Sequence, residues 1–86
     1  MIRSSLLQQV TGYFSGNELQ LVFSAAGRLP MSLQLFDASG RQVLHRNVVA
    51  VDGANYQSLS TPPLPGGIYW LHMEAGGTKQ VLKIRK

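Results

Sequence analysis

Leu64-Pro65-Gly66-Gly67-Ile68-Tyr69-Trp70-Leu71-His72-Met73-Glu74 joins a Pro-Gly-Gly turn directly to an apolar strand. Pro65 fixes its own φ and has no N–H to donate, so a strand does not run easily through it. Gly66 and Gly67 supply positive φ or let a neighbouring backbone come close. Residues 68–73 then combine β-branched, aromatic and aliphatic side chains, which suit a pleated, half-buried surface. Alternation sends Tyr69, Leu71 and Met73 to one face and Ile68, Trp70 and His72 to the other. The turn fixes where the strand starts, and the start fixes register, because a one-residue slip exchanges the faces.

Downstream, Ala75-Gly76-Gly77-Thr78 is a hairpin turn, followed by a last strand over residues 79–85. In it Leu82 and Ile84 face one way, Val81 and Lys83 the other. Upstream, residues 4–14 read as a ragged first strand ending in the turn Ser15-Gly16-Asn17. Leu19, Leu21 and Phe23 alternate as a strand with one buried face. Residues 25–30, with Gly27 and Pro30, read as a loop. Met31, Leu33 and Leu35 alternate again, and Asp37-Ala38-Ser39-Gly40 has the chemistry of a type I turn. Residues 42–51 return, so 31–51 forms a hairpin, with a twist or bulge expected in the apolar run 48–51. A turn over residues 52–55 and a short strand over 56–59 complete the set. Seven short strands with turns every eight to twelve residues and no helix predict an all-β fold. The expected architecture is a seven-stranded antiparallel β-sandwich with an immunoglobulin-like outline; a small barrel is the alternative.

Eighty-six residues predict a single domain over 1–86. Such a chain buries only roughly 60–65% of its unfolded surface, so its stability is modest. There is no cysteine, which excludes disulfides and thiolate metal sites. The charged fraction of 14% is low for a globular domain, a composition that favours a secreted β-domain over a cytosolic helical one. Eight Lys and Arg stand against four Asp and Glu, and half of the cations fall in residues 79–86. A basic end can serve nucleic acid, an anionic surface or a partner protein. No apolar run is long enough to span a membrane. Met1-Ile2-Arg3 leads into no signal-peptide core, so the chain reads as a fragment of a larger protein.

Catalytic patterns are absent. His45 and His72 lie on separate strands with no ligand at metal spacing. Glu18, Asp37, Asp52 and Glu74 sit mostly at turns or strand ends, where solvent or backbone partners them. Gly66-Gly67 opens a strand, whereas phosphate loops open helices. Tyr13, Phe36, Tyr56, Tyr69 and Trp70 are core rings with one or two exposed, or a platform for sugar or single-stranded nucleic acid. Alternation is expected to splay the terminal cations over both faces of the last strand, a poor phosphate groove but a natural guarded edge. No enzyme activity and no cofactor follow from this pattern.

Three stretches together resemble the C-terminal sorting domains of the type IX (Por) secretion system. Residues 64–71 look like that family's L-P-x-G-[IV]-Y segment. Leu33-Gln34-Leu35-Phe36-Asp37-Ala38-Ser39-Gly40-Arg41-Gln42-Val43 is similar to its strand–D-x-x-G-[KR]-x-V turn, and residues 79–86 to its basic final strand. The resemblance covers residues 18–86. Where many members carry Y-P-N-P, this chain has Thr11-Gly12-Tyr13-Phe14-Ser15-Gly16-Asn17.

The resemblance implies an address without chemistry of its own, at the end of a cargo protein. Such cargo crosses the periplasm of a Gram-negative bacterium and reaches the cell surface or medium. The implied partners are the outer-membrane translocon, its shuttle and a sortase-like peptidase, with no nucleic acid. Lys79, Lys83 and Lys86 are the expected recognition charges. Pro65, Gly66, Gly67 and Tyr69 are expected to shape the presenting turn, and Asp37, Gly40 and Arg41 the other. An exposed terminal edge strand also permits a dimer. The alternative function is an accessory sugar-binding sandwich of a secreted hydrolase, with Trp70 or Tyr56 stacking on a sugar ring.

Overall fold

A computed structural model describes residues 7–86. The part of the expected first strand before Leu7 lies outside the described residues. Seven strands follow in order: β1 (Leu7–Ser15), β2 (Glu18–Ala25), β3 (Leu29–Phe36), β4 (Gln42–Ala50), β5 (Gly53–Ser60), β6 (Ile68–Ala75) and β7 (Thr78–Arg85). They form two antiparallel sheets, ordered β1-β2-β5 and β4-β3-β6-β7. The sandwich is immunoglobulin-like, as its strand pattern predicts. In the constant-type arrangement the fourth strand joins the first, second and fifth. Here the tight turn after Phe36 keeps β4 on β3, and the chain changes sheet only at residues 51–52.

Each strand's alternation decides which side chains meet between the sheets. Leu19, Leu21 and Phe23 of β2 face Leu33 and Leu35 of β3 and Tyr69, Leu71 and Met73 of β6, all buried. Leu71 is fully enclosed, so Leu71→Ala is expected to cost about 2–5 kcal/mol. β7 adds Ile84, and Leu82 packs against the same core. Gly12 of β1 leaves room for this closure, since a Cβ there would stand 2.9 Å from Leu21 Cδ2 and 3.1 Å from Ile84 Cδ1.

Three local expectations are corrected. Pro30 belongs to β3 and lies opposite Val49, not in a loop; β3 pairs with β6 only from Met31 onward, so Pro30's missing N–H interrupts no ladder on that side. The turn over residues 52–55 is shorter than expected. β5 already begins at Gly53, and buried Asn55 caps the crossover by accepting from Val51 N–H (2.9 Å) and donating to Val51 O (2.8 Å). Residues 48–50 pair regularly with β3, and the hairpin's register shift falls at Leu35/Phe36, beside the Asp37 turn.

Candidate functional site

Asp37 organises the β3–β4 turn through its own carboxylate. Oδ1 accepts from Ser39 N–H (3.0 Å), Ser39 Oγ–H (2.7 Å) and Arg41 N–H (2.9 Å). Oδ2 faces Arg41 Nε at 3.3 Å, and Gly40 N–H donates to Asp37 O at 3.0 Å. Gly40 has φ +88°, a conformation that strains any residue with a Cβ. The Ser39 hydroxyl, then the Arg41 N–H, hold the Asp37 carboxyl below the usual carboxylate range. Asp37 is therefore a negative charge spent on its own loop.

The Pro-Gly-Gly turn is closed by a tyrosine. The Tyr69 hydroxyl donates to Pro65 O at 2.6 Å, while its ring is buried edge-on to Phe14, with centroids 5.4 Å apart. This four-residue reach back resembles the tyrosine corner of immunoglobulin-type sandwiches. Gly67 and Lys86 exchange two backbone bonds, Gly67 N–H to Lys86 O at 3.0 Å and Lys86 N–H to Gly67 O at 2.8 Å. A Cβ on Gly66 would lie 3.3 Å from that same Lys86 carbonyl, so this glycine permits close backbone approach.

Both turns and Lys86 meet at one end of the molecule. The reason is register: Phe36, the last residue of β3, lies opposite Trp70 on β6, which places the Asp37 loop beside the start of β6. Residues 37–39 and 65–69 line a shared depression of about 220 Å³. The three lysines are not gathered. Lys86 is at this end, with Nζ 6.0 Å from the Phe14 ring centroid. Lys83 lies opposite Trp70, its Nζ 5.8 Å from the ring centroid. Lys79 lies opposite Glu74 near the other end of a molecule 41 Å long.

The charges of β7 are not splayed as alternation was expected to splay them. Lys79, Lys83 and Arg85 share the exposed face, and Ile84 between them is buried. Their numbers have one parity, so the signal was present in the sequence. Two rings packed on that face were not singled out as a pair: Phe36 and His72 meet edge-on at 4.7 Å. Among the described residues no group of three His, Cys, Asp or Glu side chains is placed to hold a metal ion.

The model of the secretion system C-terminal sorting domain, the Por secretion tail, matches residues 15–86. The chain belongs to that family. The match takes in β2 to β7 and both turns, slightly more than the span on which the resemblance rests. A comparison with curated proteins finds no match. Membership makes the sorting domain a C-terminal signal for type IX secretion, which implies interaction with that machinery and export to the surface or medium of a Gram-negative bacterium. Among the described residues no helix is long and apolar enough to cross a membrane.

Proposed function

We propose that this sorting domain acts as a folded address at the end of a larger cargo protein that has crossed the periplasm. The translocon and its shuttle read the address at the outer membrane. A sortase-like peptidase then removes it and joins the cargo to an anionic surface lipopolysaccharide. Residues 1–86 form one non-catalytic unit that presents charge and shape. Lys79, Lys83 and Lys86 supply the recognition charge. Asp37, Gly40 and Arg41 shape one presenting turn, and Pro65, Gly66, Gly67 and Tyr69 shape the other. The observation that carries this reading is the meeting of the two turns and Lys86 at one end, where the Gly67–Lys86 bridge ties Lys86 to the second turn.

The test is a fluorescent protein with an N-terminal signal peptide and this domain at its C-terminus, expressed in a host with type IX machinery. Removing residues 82–86 is a poor control, because Ile84 is only 3% exposed and its loss opens the core. Charge reversal at Lys83 and Lys86 is the better one. Delivery of the intact fusion together with retention of a folded Lys83→Glu/Lys86→Glu fusion supports the reading. Delivery of both removes the lysines from recognition. β7 forms one edge of its sheet, and addition of a second copy there is the route to a dimer. Sedimentation velocity of the isolated domain across a concentration series checks it.

A second reading, glycan binding, is favoured by Tyr13 and Tyr56. Both are exposed on the outer face of the three-stranded sheet, where Tyr56 is anchored through its hydroxyl to Gln20. Retardation on polysaccharide gels that Tyr56→Ala abolishes is its signature.

A further inference from the structure

The outer face of the four-stranded sheet is uneven in both polarity and charge. Trp70 is 38% exposed in the middle of the sheet, and Val81 on β7 is 52% exposed. Val81 lies opposite His72, diagonal to Trp70, so the two apolar surfaces adjoin. On the other side of Trp70, a depression of about 330 Å³ is lined by Trp70, His72, Phe36 and the 37–40 loop. That size is at the low end for ligand pockets and suits one anchoring side chain.

Charge separates the two halves of this face. At the far half, Lys79 stands directly opposite Glu74. At the Trp70 half, Lys83 and Arg85 project from the same side of β7 with no acid opposite them; their partners in register are Trp70 and Ile68. Asp37, whose loop lines the hollow, has its oxygens engaged by Ser39 and Arg41 within that loop. The Trp70 half therefore shows a ring and a hollow flanked by unopposed cations.

We propose that this half-face is a docking surface for an acidic segment of a partner protein in the secretion machinery, with an apolar side chain of that segment seated beside Trp70. The proposal rests on the sorting reading and assigns it a face of the domain. Carboxylates answer Lys83 and Arg85, and the anchor covers the exposed ring; a neutral glycan answers only the ring. Burial of an aromatic anchor at the centre of such a patch, ringed by charge, is the arrangement in which few residues dominate binding.

Trp70 is the only tryptophan in the chain, so the proposed surface carries its own fluorophore. The probe is a blocked hexapeptide alternating Glu and Leu, titrated into the isolated sequence and followed by tryptophan emission. A saturable shift is expected. It should weaken with added salt, be absent with the Lys-Leu counterpart, and weaken at least about tenfold in Lys83→Glu. In the fusion host, folded Trp70→Ala and folded Lys83→Glu are expected to retain cargo in the periplasm, while Tyr56→Ala exports normally. Lys83 is exposed, so its variant carries the test even where Trp70→Ala fails to fold. Normal export of folded Trp70→Ala and Lys83→Glu fusions, with no saturable peptide shift, overturns the proposal and leaves the sorting reading standing. A wild-type fusion that stays in the periplasm overturns both. Binding to neutral polysaccharide that Trp70→Ala abolishes, with export intact, assigns the face to glycan and overturns it.

Discussion

Single side chains at the two turns hold the presenting end in place; two of them, Tyr69 and Asp37, and Thr61 just after β5 carry measurable predictions. Tyr69 is 3% exposed, and its hydroxyl donates to Pro65 O. Tyr69→Phe keeps the ring against Phe14 and removes that donor. It is expected to lower stability by about 1 kcal/mol in urea unfolding, with the fold retained. Asp37 binds its proton less readily folded than unfolded. A depressed carboxylate stabilises the fold above its unfolded pKa of about 3.9 and loses that contribution as pH falls through the lower folded value. Wild type should therefore lose stability relative to Asp37→Asn as the pH falls below about 4, and a pH series of urea midpoints for the two proteins reads the difference. Thr61 makes the opposite point. Among the described residues its buried Oγ1 has no hydrogen-bond partner, so Thr61→Val, of nearly the same shape, is expected to stabilise by about 1 kcal/mol. An unfolding midpoint below wild type would show that the hydroxyl has a partner in solution.

The strands show which parts of the molecule were legible from the chain. β6 was legible because Tyr69, Leu71 and Met73 meet one environment and Ile68, Trp70 and His72 another, so alternation survives into burial. The Asp37 turn was legible because its bonds run between residues at most four apart. Pro30 and Asn55 were misplaced because their tolerance in strands comes from distant partners: where β6 pairing begins for the one, and pairing with Phe23 of β2 for the other. The meeting of the two turns depended on β3 pairing with β6, which local sequence does not encode. β7 carries a prediction of its own, because its two faces do different work. Ile84→Ala should destabilise by about 2–5 kcal/mol through the core, whereas Lys83→Glu, exposed on the other face, should leave the melting temperature within about 4 °C. Thermal melts of the pair separate packing from charge on a single strand.

At the scale of the whole molecule, cargo sorting asks for a fold that closes firmly and a surface that stays readable. Closure comes from the two sheets packing across Leu21, Phe23, Leu33, Leu35 and Leu71, and from the approach of β1 to β7 that Gly12 allows. Gly12→Ala should overpack this seam and cost about 1–3 kcal/mol, read as a shift in the urea midpoint without a change of slope. Readability comes from a net charge of +4 concentrated toward β7. Binding to the secretion machinery should accordingly weaken as ionic strength rises. The most direct test of the central claim is delivery of a signal-peptide fluorescent fusion by this domain in a type IX host, measured as the surface and medium fraction for wild type and for folded Lys83→Glu/Lys86→Glu. Delivery of the first and periplasmic retention of the second is the expected result. Retention of both fusions, or equal delivery of both, would contradict it.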